Sequence, residues 1–175
     1  MNRRSIFSLA TSRSLSLTVV GVMIFCASSI ASADEVLKFR SILHTTAVQT
    51  QEVGDIDGHT MTVGHYSGLV SFPDGSMGTT NFTFTNDLIK GSGTYLTYSN
   101  VTLKDGSALW LKQSGTAKLE GTTTIFPEAP LSVLRGTGRF EGAKGDGTVS
   151  GARLTPLAVG AELYSDIVIN VKKID

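Results

Sequence analysis

The sequence predicts an all-β domain, an antiparallel meander closed into a roughly eight-stranded barrel, on three observations. Beyond residue 33 no segment carries the apolar repeat of an amphipathic helix; short runs rich in Thr, Val, Ile, Phe and Tyr alternate apolar with polar instead. Glycine-bearing punctuation recurs at Asp57-Gly58, Asp74-Gly75, Lys90-Gly91-Ser92-Gly93, Asp105-Gly106, Glu120-Gly121 and Arg135-Gly136, at intervals of 17, 16, 15, 15 and 15 residues from Gly58 onward. Each interval holds one strand of about ten residues with its turn, and Asp-Gly suits the positive φ of a tight hairpin. Consecutive local hairpins favour a barrel over the alternative, a β-sandwich, whose topology calls for longer crossing connections.

Alternation then assigns a core face to the elements in order. The first strand, about 36–49, sets Leu37, Phe39, Ser41, Leu43 and Ala47 opposite Lys38 and Arg40, with His44 on the outer side. Segment 59–72 groups Met61, Val63, His65, Ser67 and Leu69, the more apolar set, as inner. Segments 77–88 and 94–104 flank the Gly91 turn, and the second contributes Tyr95 and Thr97 to the interior. Segment 107–120 places Leu109, Leu111, Gln113, Gly115, Ala117 and Leu119 inside, against Trp110, Lys112, Ser114, Thr116 and Lys118. A short strand at 122–126 and another at 147–155 precede the last, 162–173, whose inner face carries Leu163, Ser165, Ile167, Ile169 and Val171. No linker or low-complexity stretch interrupts residues 34–175, which are expected to form one domain.

Residues 1–33 have the three-part layout of a secretory signal peptide. Arg3, Arg4 and Arg13 come without any acid, an apolar stretch runs from Leu15 to Phe25, and small residues end at Ala31-Ser32-Ala33. Cleavage near Ala33 would leave 142 residues for the periplasm or the extracellular space. The apolar stretch is shorter than the ~20 residues of a spanning helix, so no integral membrane segment is expected. Setting aside the three leader arginines leaves 12 basic against 15 acidic residues, a formal charge of −3. With basic residues scattered and Lys172-Lys173 their densest pair, nucleic acid is excluded as a partner. The single cysteine, Cys26, falls in the leader, so disulfides, thiol nucleophiles and thiolate metal sites are excluded from the mature chain.

Chemistry-bearing residues are few. Three histidines, His44, His59 and His65, do not make the three or four ligands of a zinc site, and no metal is expected. His59, beside a turn, reads as a solvated loop residue. His65, grouped with Met61, Val63 and Leu69, is the one candidate catalytic residue, a general acid or base if it faces a cavity and otherwise a hydrogen-bonded core histidine. Gln113, with Ser67, Tyr95 and Thr97 as weaker companions, either orients a mostly apolar ligand or is satisfied by its neighbours and trapped water. Asp55-Ile56-Asp57-Gly58 resembles the start of a calcium loop but lacks the further ligands, and reads as a turn. There is no G-x-S-x-G nucleophile elbow. An outward Trp110 offers an interface anchor for a homo-oligomer.

The segment Gly136-Thr137-Gly138-Arg139-Phe140-Glu141-Gly142-Ala143-Lys144-Gly145-Asp146-Gly147 resembles the G-T-G-x-F-x-G-A-x-G signature of the dirigent and allene oxide cyclase barrel superfamily. Its glycines are expected to turn the chain beneath the barrel with Phe140 as an apolar plug. Their spacing does not fit a nucleotide-binding loop. The resemblance implies a barrel that works without metal or organic cofactor. Allene oxide cyclases cyclise an unsaturated fatty-acid epoxide, and dirigent proteins steer the coupling of phenoxy radicals without oxidising them. The matched residues are structural, so no catalytic residue carries over. The leading expectation is an exported barrel binding or steering a small apolar or aromatic ligand. A cofactor-independent isomerase or cyclase using His65, and a structural or interaction barrel, are the alternatives.

Overall fold

The computed structural model describes residues 34–172. Eight strands follow one another: β1 (Glu35–Glu52), β2 (His59–Ser71), β3 (Met77–Ile89), β4 (Ser92–Leu103), β5 (Ala108–Glu120), β6 (Thr123–Thr137), β7 (Lys144–Arg153) and β8 (Glu162–Lys172). Each pairs antiparallel with its sequence neighbours, and β1 also pairs with β8 from Glu35↔Val171 to His44↔Glu162. That last ladder closes the barrel and rules out the sandwich. Residues 1–33, where the leader and Cys26 are expected, and Lys173 lie outside the described residues.

The glycine-rich segment behaves as expected. Gly138 adopts φ +62°, a conformation that costs other residues a clash, and opens a single 3-10 turn, Gly138–Phe140. The turn drives Phe140 into the base of the barrel, where it is 1% exposed and belongs to the core cluster. The inner faces expected for β8 and, up to Ala117, for β5 are the observed ones. Leu119 lies beyond the rim, against the Gly91 turn, and is exposed.

Three readings are corrected. In β2 the inner residues are Thr62, Gly64, Tyr66 and Val70, while Met61 (53% exposed) and Leu69 (49%) face outward with Val63, His65 and Ser67. Gly64 explains the reversal: a Cβ there would stand 2.6 Å from the Phe84 ring, so the inner face uses a missing side chain to admit a neighbour's aromatic group. In β1 the odd-numbered inner face runs on through Thr45, which is buried, and a bulge between Thr45 and Ala47 then flips the alternation and exposes Ala47. Segment 154–161 docks on this bulge, with Thr45 N donating to Ala161 O at 2.9 Å and Gly160 N to Thr45 O at 2.8 Å. β6 runs on past residue 126 to Thr137 despite Pro127 and Pro130. The prolines supply no N–H, and the ladder to β5 is correspondingly broken between Gln113 and Lys118.

Candidate functional site in the mouth half of the barrel

At one end of the barrel Phe140 fills the lumen with aliphatic neighbours and the Phe39–Phe72 ring pair, centroids 5.2 Å apart, and outside this plug an open cleft of about 570 Å³ lies among Glu35, Phe72, Asp74, Leu103 and Arg139. The other end is the mouth, where β1 meets β2, β3 meets β4, β5 meets β6, and segment 154–161 crosses from β7 to β8. Inside it the lumen changes character. Tyr66 stacks on Phe84 with ring centroids 4.7 Å apart, and Tyr95 meets Phe126 edge to face at 5.4 Å. Among these rings stand Asn86, Thr97, Gln113 and Ser165, all buried. The space left between them, counted as positions open to the centre of a water molecule, is about 30 Å³. That is room for about two waters.

The site follows from the ladder gap. Where the prolines of β6 interrupt pairing with β5, Gln113 and Phe126 turn into the lumen from the two sides of the break. Gln113 is 5% exposed and its Oε1 has no hydrogen-bond partner among the described residues; the same holds for Ser99 Oγ. Buried polar atoms are almost always paired, so an orphaned carbonyl in an aromatic lining marks a place where a donor would be welcome. Burial also raises the Tyr95 phenol above its usual value of 10, so it stays protonated and can donate.

Of the residues singled out in the sequence, Tyr95, Thr97 and Gln113 come together in this cavity. His65 and Ser67 do not. Both sit on the outer face of β2, where His65 Nδ1 lies 3.0 Å from Thr83 Oγ1. Asn86 and Ser165 belong to the cavity but escaped selection; the alternation Phe82, Phe84, Asn86, Leu88 carries the signal for Asn86.

His59 is not a solvated loop residue. It opens β2 with its ring only 14% exposed, its Nδ1 2.5 Å from Asp55 Oδ1 and its Nε2 2.8 Å from Asp87 Oδ1. Hydrogen bonding to Asp87 and then Asp55 raises its pKa, and His59 in turn lowers that of Asp55. The triplet ties the β1–β2 turn to the end of β3 at the barrel mouth. Asp55 also accepts from Ile56 N at 2.8 Å, in keeping with a turn. Trp110 is half-buried on the outside, with the Arg135 guanidinium 4.0 Å above its ring. Among the described residues no group of three or more His, Cys, Asp or Glu side chains is arranged to hold a metal, and no helix is long and apolar enough to cross a membrane.

No protein-family model matches the sequence, and no curated protein does. Solved structures that resemble the fold include two dirigent proteins. One is the pterocarpan synthase dirigent protein GePTS1, 13% identical, with a TM-score of 0.50 over 83% of this chain and 90% of that one. The other is the pterocarpan synthase dirigent protein PsPTS1, 12% identical, also at 0.50, over 81% of this chain and 97% of that one. At such identity the likeness is one of architecture alone, with this chain an eight-strand antiparallel barrel.

Proposed function

We propose that this protein is exported, through the leader at residues 1–33, and binds a small ligand with an apolar or aromatic body in the mouth half of its barrel, without a cofactor. The observation that carries the reading is the unpartnered Gln113 Oε1 set among Tyr66, Phe84, Tyr95 and Phe126. Aromatic walls with a few convergent polar groups are the usual composition of a small-molecule site. The solved neighbours, both dirigent proteins named for pterocarpan synthesis, use the same architecture.

The free space of about 30 Å³ is too small for an aromatic ring, so binding requires the Tyr95–Phe126 pair to swing toward the mouth. Those two rings flank the β5–β6 ladder gap, where backbone restraint is weakest. The alternative, a cofactor-independent isomerase or cyclase, loses its proton-transfer group with His65 on the outer face.

Native mass spectrometry of mature protein from its own exported fraction tests the proposal. A reproducible bound mass, lost in Gln113→Met, is expected. An empty protein that also fails to bind a neutral phenol such as p-cresol by calorimetry would overturn it. The homo-oligomer belongs to the same proposal: Ile42 and its register partner Leu69 form an outward apolar pair on which two copies would meet. Light scattering that shows a monomer at micromolar concentration would remove it.

A further inference from the structure

We infer that Arg153 is an anion-binding site at the mouth of the barrel, and that the ligand it takes carries a carboxylate beside its apolar or aromatic body. The inference rests on the ligand-binding reading above and deepens it.

Arg153 ends β7 on the inner face. Its register partners are Thr124 of β6 and Leu163 of β8, both inward-facing. Leu163 lines the aromatic cavity, and so does Phe126, two residues beyond Thr124 on β6. The guanidinium therefore stands one layer above the cavity, between it and the mouth.

It is 6% exposed. Nε donates to Thr155 O at 3.1 Å and Nη2 donates to Thr124 Oγ1 at 2.7 Å. Nη1, with two N–H groups, is buried without any partner, and among the described residues no carboxylate pairs with Arg153. An arginine does not escape this by losing its proton. A buried cation without a counter-charge is strongly unfavourable, far beyond what two bonds to neutral oxygens return.

A purely structural role is a poor account of the arrangement. Tying segment 154–161 to β6 uses Nε and Nη2 alone, and a neutral amide would tie it with no buried charge. A carboxylate at Nη1 supplies both the missing acceptor and the missing charge. Charge-assisted bonds of this kind are about twice as strong as neutral ones. With Gln113 and the Tyr95 phenol deeper in the lumen, the site then reads as a polar anchor above an aromatic body-binding pocket.

The test pairs two probes with one body: 3-(4-hydroxyphenyl)propanoate and the neutral 2-(4-hydroxyphenyl)ethanol, each titrated calorimetrically into wild type, Arg153→Gln and Arg153→Lys. Wild type is expected to bind the propanoate at least about tenfold more tightly. Arg153→Gln should erase that preference without weakening the alcohol, and Arg153→Lys should restore part of it. Alcohol binding with no preference for the propanoate overturns the inference and leaves the ligand reading standing. A formate titration of wild type, followed by NMR at the Arg153 Nε–H resonance, keeps the two apart and needs no variant. A saturable shift supports the anion site even if neither phenol binds, and no shift overturns it.

Discussion

Replacing Gln113 by methionine should make the protein more stable. The side chain is 5% exposed and its Oε1 has no partner among the described residues, so no protein donor offsets a desolvation cost of about 1–3 kcal/mol. Methionine has nearly the same reach, no polar atom to satisfy and enough flexibility to fill the same irregular space. A shape mismatch returns less than about 1.5 kcal/mol of the gain. The net expectation is about 1–2 kcal/mol of added stability. In urea the unfolding midpoint should rise with an unchanged m-value, because the surface exposed on unfolding is the same. For a domain of this size the melting temperature should rise by about 3–6 °C. A loss of more than about 1 kcal/mol would refute the reasoning: the amide would then be paired in the folded protein, and its position would be ordinary core chemistry. Stability and ligand retention should therefore move in opposite directions in this one variant, which separates a binding residue from a packing residue.

Phe140→Ala removes a ring that is 1% exposed and leaves a cavity at the base of the barrel, so it should cost about 3–5 kcal/mol in a urea titration. Gly64→Ala pushes a methyl to 2.6 Å from the Phe84 ring and 2.7 Å from Ala47 O; thermal unfolding should show a loss of about 1–3 kcal/mol, and a neutral result would mean that the β2–β3 packing is loose. His59→Gln should weaken the protein most in mild acid. The folded pKa of His59 is raised, so its contribution is complete below its unfolded pKa of about 6.5 and fades as pH rises through the folded value. The lowered pKa of Asp55 makes its part complete above about 4 and lost as pH falls through its own folded value. The gap between wild type and His59→Gln should thus be widest between these limits and narrow toward pH 9, a trend that denaturant titrations across pH will read.

Alternation along β8 and β5 was legible because their inner faces carry the large side chains: Ile167 and Ile169 in one, Leu109 and Leu111 in the other. In β2 the same rule points the wrong way. There the inner face yields space at Gly64 while Met61, Val63 and Leu69 lie in solvent, and only the pairing with β3 reveals it. A single bulged residue near Thr45 misplaced Ala47, since parity has a memory of one residue. A quarter of the cavity lining, Tyr95, Thr97 and Gln113 of twelve residues, was readable as polar or amphipathic groups on apolar faces. Arg153 was not, because glycines at 145, 147 and 151 erase the alternation that leads up to it. The His59 clamp was equally hidden, as Asp87 stands 28 residues away and only the β2–β3 register brings it near.

The pairing of β1 with β8 also sets a timetable. Residues as far apart as Glu35 and Val171 must meet before the last ladder forms, so no run of strands shorter than the whole chain satisfies its own edges. While the chain is being made, β1 presents a row of unpaired backbone groups that waits for the eleven residues of β8 to arrive. Loop closure over that span makes folding slow relative to a helical domain of equal length. A chain cut anywhere before Glu162 would keep two open edges, and it should be found in aggregates or in the hands of a chaperone instead of as a smaller folded protein.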